Sequence, residues 1–100
     1  MERETPKPIQ VLLMEDQAAI RQAIAAEFEP EPDFAIVGQA SSLAEARETL
    51  ASPDVVILDL GLPDGSGADF IPELRAANPN ARAIVLSASY DRSLHAGLSS

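Results

Sequence analysis

The sequence predicts an α/β domain built on a parallel sheet, and three of its features carry that expectation. Four short apolar runs, Ile9 to Met14, Phe34 to Val37, Val55 to Leu58 and Ala83 to Leu86, are spread along the chain, and each is followed by a segment of helical periodicity. Strands that alternate with helices in this way pair in parallel, and right-handed crossovers lay the helices on the faces of the sheet. The run Val55-Val56-Ile57-Leu58 is β-branched at three of four positions and wholly apolar, as a strand covered on both faces must be. A length of 100 residues suits one core and is too short for two.

Met1 to Pro8 carries charges of both signs and two prolines but nothing to bury, so residues 1–8 are expected to be a disordered tail before a single domain at 9–100. The first strand, Ile9 to Met14, stops abruptly at Glu15-Asp16. From Gln17 the period changes, because Ile20, Ile24 and Phe28 lie four apart on one helical stripe, and Pro30 and Pro32 end it. Phe34 to Val37 forms the second strand. Ser42 with Glu45 three residues on makes a capping box that opens a helix, whose Leu43, Ala46 and Leu50 share a face until Pro53. The third strand delivers Asp59. Gly61-Leu62-Pro63-Asp64-Gly65-Ser66-Gly67 is turn chemistry throughout, and the helix after it places Phe70, Ile71 and Leu74 on one side until Asn78-Pro79. Pro72 falls inside that helix, where it is expected to remove a hydrogen bond and bend the axis. Ala83 to Leu86 is the fourth strand, ending at Ser87, and a weak helix with Leu94 and Leu98 runs from about Asp91 onward.

Composition narrows the function. Apolar residues make up 46% of the chain, but Phe28, Phe34, Phe70 and Tyr90 are its only aromatics, so the core is built from aliphatics and alanine. Sixteen acids against seven bases, a net charge of -9, argue against binding nucleic acid or an anionic membrane and favour a cation. The absence of cysteine excludes disulfides and thiolate-held zinc, and fits a reducing compartment. The apolar runs are far shorter than the roughly 20 residues of a membrane span, and Met1 to Pro8 lacks the apolar centre of a signal peptide. A cytoplasmic protein with no membrane partner is expected.

In parallel sheets of this kind ligands bind beyond the carboxyl ends of the strands. Glu15, Asp16, Asp59 and Ser87 all fall at that edge, directly after apolar strands. Like charges a few ångströms apart raise one another's pKa unless a cation joins them, and Mg²⁺ or Mn²⁺ suits a set of oxygen ligands beside a phosphate. Asp59, at the end of the most apolar strand, is the best nucleophile. Gly61 can offer its backbone carbonyl to the metal with no side chain in the way, and Ser87 can hydrogen-bond a phosphoryl oxygen. Plainer roles compete. Asp16 before a helix fits an N-cap, and Ser87 alone is a turn residue more often than not. Asp54, Asp64 and Asp69 read as turn or helix-start acids, Tyr90 as a packing residue and His95 as solvated. Asp59 has no such alternative, since an acid capping a buried strand is costly to desolvate.

Three segments, Val11-Leu12-Leu13-Met14-Glu15-Asp16, Pro53 through Gly67 around Asp59, and Ile84-Val85-Leu86-Ser87-Ala88, resemble the receiver domain of two-component response regulators. The resemblance covers everything after the tail, and around Glu29 to Gln39 it is greatest to receivers that precede a helix-turn-helix DNA-binding domain. It implies a flavodoxin-like three-layer sandwich with strand order 2-1-3-4-5, of which strands 2-1-3-4 are present here and the fifth strand and helix are missing. It also implies that Asp59 accepts a phosphoryl group from a sensor histidine kinase, that Glu15, Asp16, Asp59 and the Gly61 carbonyl hold Mg²⁺, and that Ser87 senses the phosphate. The domain is then a phosphoacceptor rather than an enzyme, and reaches DNA only through a C-terminal domain absent from this chain. The family's lysine after the fifth strand has no counterpart, since the only lysine is Lys7, and the aromatic switch residue is missing too. Truncation accounts for both, and it makes Ala83 to Leu86 an undefended edge. Bare apolar surface over the first and third strands is therefore expected, with either self-association through that edge or a loosely packed monomer of low stability. Two other functions compete: a phosphatase of the haloacid dehalogenase type, which wants a second Asp where Gly61 stands, and an interaction module without phosphoryl transfer.

Overall fold

Period-two alternation sorts the strand residues between two layers. In the computed structural model, which describes residues 7–49 and 52–86, the strands are β1 (Ile9–Met14), β2 (Phe34–Ala40), β3 (Val55–Asp59) and β4 (Arg82–Leu86). All pair in parallel, in the order β2-β1-β3-β4. Leu12, Met14, Val56 and Leu58 face one side, where they meet α2 (Leu43–Glu48), a 3₁₀ turn (Gly67–Phe70) and α3 (Ile71–Ala77) through Leu43, Ala46, Phe70 and Leu74. Val11, Leu13 and Ile57 face the other side, against Ile24, Ala25 and Phe28 of α1 (Ala18–Phe28). The result is the expected three-layer sandwich, in which each fully buried aliphatic contributes about 1.5–3 kcal/mol. Phe28 and Phe34 close the end of the α1 layer edge to face, with centroids 5.2 Å apart.

β2 runs three residues past the apolar stretch Phe34 to Val37. The pairing shifts between Val11↔Ile36 and Leu12↔Gly38, so Val37 is the extra residue of a bulge and the strand continues beyond it. Gly38 belongs there because a Cβ would lie 3.0 Å from Leu12 Cδ1 and 3.3 Å from Thr49 Cγ2. Pro72 also departs from expectation. The chain makes a 3₁₀ turn first and α3 begins anew at Ile71, which puts Pro72 in the first turn, where its missing N–H costs no intrahelical bond.

The bare surface expected over β1 and β3 is not found, since Val11, Leu13 and Ile57 are buried. Exposure falls instead on β4, where Ile84 is 53% and Val85 46% accessible, and among the described residues β4 pairs only with β3. Ser87, Tyr90, His95, the final helix and most of the tail lie outside the described residues, as does Leu50. Among the described residues no helix is long and apolar enough to cross a membrane.

The start of α2 is satisfied more fully than a capping box requires. Ser42 Oγ accepts from the Glu45 N–H at 3.1 Å, and Glu45 Oε1 accepts from the N–H and hydroxyl of Ser41, one residue earlier than the usual box. The remaining N–H groups of Leu43 and Ala44 donate to the two oxygens of Asp64 at 2.8 and 3.0 Å. Ser42→Ala is expected to cost about 1 kcal/mol, read in urea unfolding as a lower midpoint at unchanged slope.

Candidate functional site

Adjacent parallel strands in register deliver their last residues to the same place. Met14 pairs with Leu58, so the next residue on each strand, Glu15 and Asp59, emerges side by side at the carboxyl edge. Backbone bonds fix both. The Glu15 N–H donates to the Ala40 carbonyl at 2.9 Å, and Asp59 pairs with Leu86. Glu15 and Asp59 are 1% and 3% exposed, the two buried charged residues among those described, while Asp16 beside them is exposed. One carboxylate oxygen from each of Glu15, Asp16 and Asp59 lies within 4.8 Å of the others.

The three carboxylates are held differently. Glu15 Oε2 accepts from the Gln17 N–H at 2.9 Å, whereas its Oε1 is buried with no hydrogen-bond partner. Asp59 Oδ1 accepts from the Gly61 N–H at 3.2 Å. Asp16 caps nothing, because the N-cap of α1 is Gln17 and no side chain bonds there. Its N-cap alternative therefore fails, and it stays free at the mouth of the cluster. Two unit charges at this spacing repel by on the order of 3 kcal/mol at an effective dielectric of about 20. Burial pushes the Glu15 carboxyl above its ordinary value, the Gln17 N–H draws it back, and the Asp59 charge pushes it up again.

The structure thus brings together Glu15, Asp16 and Asp59, and sets Gly61 against them through its N–H. A Cβ at Gly61 would meet no protein atom within 4 Å. Ser87, outside the described residues, follows Leu86, the register partner of Asp59. Asp54 binds the Gln10 N–H at 2.9 Å beside the start of β3, away from the cluster. Sequence reasoning missed Arg21, whose Nη1 donates to the Glu15 carbonyl at 2.8 Å and ties α1 to the end of β1. It also missed the true partner of Asp64, which caps α2 rather than its own helix.

A three-layer parallel α/β domain with carboxylates gathered at the carboxyl edge belongs to the class that handles ligands at strand ends. Within that class, the profile of the response regulator receiver domain matches residues 11–98, and the chain belongs to this family. It is 35% identical over 81 residues to the DNA-binding transcriptional activator DevR/DosR of Mycobacterium tuberculosis, covering 79% of this chain and 37% of that protein. It is 35% identical over 74 residues to a protein-glutamate methylesterase/protein-glutamine glutaminase of Rhizobium etli, covering 72% of this chain and 21% of that protein. The chain therefore spans well under half the length of these curated relatives. The MaeR response regulator bound to beryllium trifluoride superposes with a TM-score of 0.66 at 25% identity, over 77% of this chain and 65% of that one. Family membership, with Gly61 where a second Asp would be needed, sets the haloacid dehalogenase alternative aside.

Crowding has a pH signature. The folded pKa of Glu15 lies above its unfolded value, so its destabilisation is absent below the unfolded pKa and complete above the folded one. In chelator at pH 7, Asp59→Asn is expected to melt above wild type, by about 4–8 °C per kcal/mol relieved. The gap should close as the pH falls through the folded and then the unfolded pKa of Glu15. A variant that melts below wild type at pH 7 would contradict crowding.

Proposed function

We propose that this receiver domain accepts a phosphoryl group on Asp59 from the phosphohistidine of a sensor kinase, in a Mg²⁺-dependent phosphorelay in the bacterial cytoplasm. The observation that carries the reading is the buried Glu15–Asp59 pair, whose Glu15 Oε1 has no hydrogen-bond partner in a cluster where the Asp16 and Asp59 carboxylates also gather, a set of oxygens that a cation would satisfy. Hard oxygen donors suit Mg²⁺ or Mn²⁺, and Glu15, Asp16, Asp59 and the Gly61 carbonyl are the residues that would hold it. When bound, the cation neutralises the carboxylates and draws charge from the phosphoryl oxygens.

The chain's own residues do the rest. Asp59 Oδ1 is occupied by the Gly61 N–H, which orients the carboxylate and leaves Oδ2 to attack phosphorus in line. An O–P bond forms as the P–N bond to the donor imidazole breaks, and the electron pair leaves with the nitrogen. Asp16, exposed at the mouth, keeps the site open to the partner histidine. Ser87 would place its hydroxyl on a phosphoryl oxygen. The beryllium trifluoride bound to the MaeR regulator supports a pocket that accepts a phosphoryl-like group, and the relative DevR/DosR supports output to transcription through DNA bound by another domain.

Incubation with a small acyl phosphate and Mg²⁺, followed by mass spectrometry, is the test. One phosphate on Asp59, absent in Asp59→Asn and absent in chelator, is the expected result. Uptake should be slow in this chain, which has no lysine besides Lys7 to stabilise the transferring group. Phosphate located on Ser87 or Tyr90, or none retained at all, would overturn the reading, and the last would favour an interaction module.

A further inference from the structure

We propose that Asp64 is a positioning residue for the phosphoacceptor site, fastening the loop that leaves Asp59 to the first turn of α2. The inference rests on the assignment of Asp59 above. Residues 60–66 form a closed ring whose ends meet. Gly67 sits so close to the Asp59 carbonyl that a Cβ would lie 2.1 Å from its oxygen, and the Gly67 N–H donates to the Leu60 carbonyl at 3.3 Å. Within the ring, Leu62 and Gly65 exchange backbone bonds of 3.1 and 3.3 Å, and Leu62 is buried. A ring closed in this way moves as a unit, so whatever anchors its far side also sets the position of the Gly61 N–H, which orients the Asp59 carboxylate.

That anchor is α2. Both oxygens of Asp64 take N–H groups of Leu43 and Ala44, 21 and 20 residues away in sequence. The same donors hold the Asp64 carboxyl below its ordinary value, so it is a charged acceptor at neutral pH. Beneath it the Leu43 side chain fills the space at Gly65, where φ is +148° and a Cβ would lie 2.8 Å from Leu43 Cδ1, so the contact leaves no room to slide. α2 is itself fixed, with Leu43 and Ala46 in the core and Arg47 forked onto Glu73 of α3 at 2.8 to 3.0 Å. Asp64 is exposed, and its two side-chain hydrogen bonds to other residues are both in this link, which suits a tether rather than a ligand.

Mn²⁺ titration of the full chain, followed by paramagnetic broadening, separates positioning from general stability. Outer partners of a metal site typically change affinity by about 10–100-fold, and Asp64→Ala should weaken Mn²⁺ binding by about tenfold, at the lower end of that range. Asp64→Asn, which keeps one accepting oxygen, should fall between Asp64→Ala and wild type, and it carries the test if the alanine variant does not fold. Arg47→Ala removes the neighbouring exposed α2–α3 ion pair, which contributes little to stability, and should leave affinity within about twofold. Wild-type affinity in Asp64→Ala, or an equal loss in Arg47→Ala, would overturn the proposal. These outcomes are independent of the phosphoacceptor assignment, which fails instead if wild-type protein binds Mn²⁺ yet takes no phosphate on Asp59.

Discussion

The register of β1 against β3 is the constraint on which the rest depends. Once Met14 pairs with Leu58, Glu15 and Asp59 must share one buried space, and no rearrangement short of a strand slip separates them. A one-residue slip would turn Val11, Leu13 and Ile57 out of one layer and Leu12, Met14, Val56 and Leu58 out of the other, so the core enforces the crowding. The fold therefore spends part of its hydrophobic stabilisation on holding two carboxylates where water cannot fully solvate them. That is the arrangement expected of a site rather than of a surface.

Around this pair the structure is built to keep strand ends still. Glu15 is gripped by Ala40 on one side and by the Arg21 side chain on the other, and Asp59 by β4 and by the ring that returns at Gly67. The larger described core cluster lies under α2 and α3, and these helices are joined by the Arg47–Glu73 fork and, through Asp64, to the loop beyond Asp59. The exposed ion pair contributes little to stability in water, and α2 is held chiefly by Leu43 and Ala46 in the core.

Much of this was legible in the sequence because it is local. An apolar run ending in an acid is read directly, and the parallel topology then brings Glu15, Asp16 and Asp59 together without any further information. The features that were not legible depend on partners distant in sequence. The length of β2 turns on the bulge at Val37 and on the room Leu12 leaves over Gly38. Asp64 read as a turn or helix-start acid and does lie in a turn, but nothing in the sequence points to Leu43 and Ala44 as the groups its carboxylate binds. Pro72 was misread through a helix boundary, since a 3₁₀ turn and an α-helix share the same apolar spacing over so short a stretch.

The buried, partnerless oxygen of Glu15 makes the whole arrangement measurable at a single carboxyl carbon. A carbon-detected NMR titration that follows the Glu15 side-chain carboxyl, with and without saturating Mg²⁺, should place its midpoint above that of an ordinary glutamate in the absence of metal and well below it in its presence. An ordinary midpoint in both conditions would contradict the account, because it would mean that Glu15 neither feels Asp59 nor meets the cation.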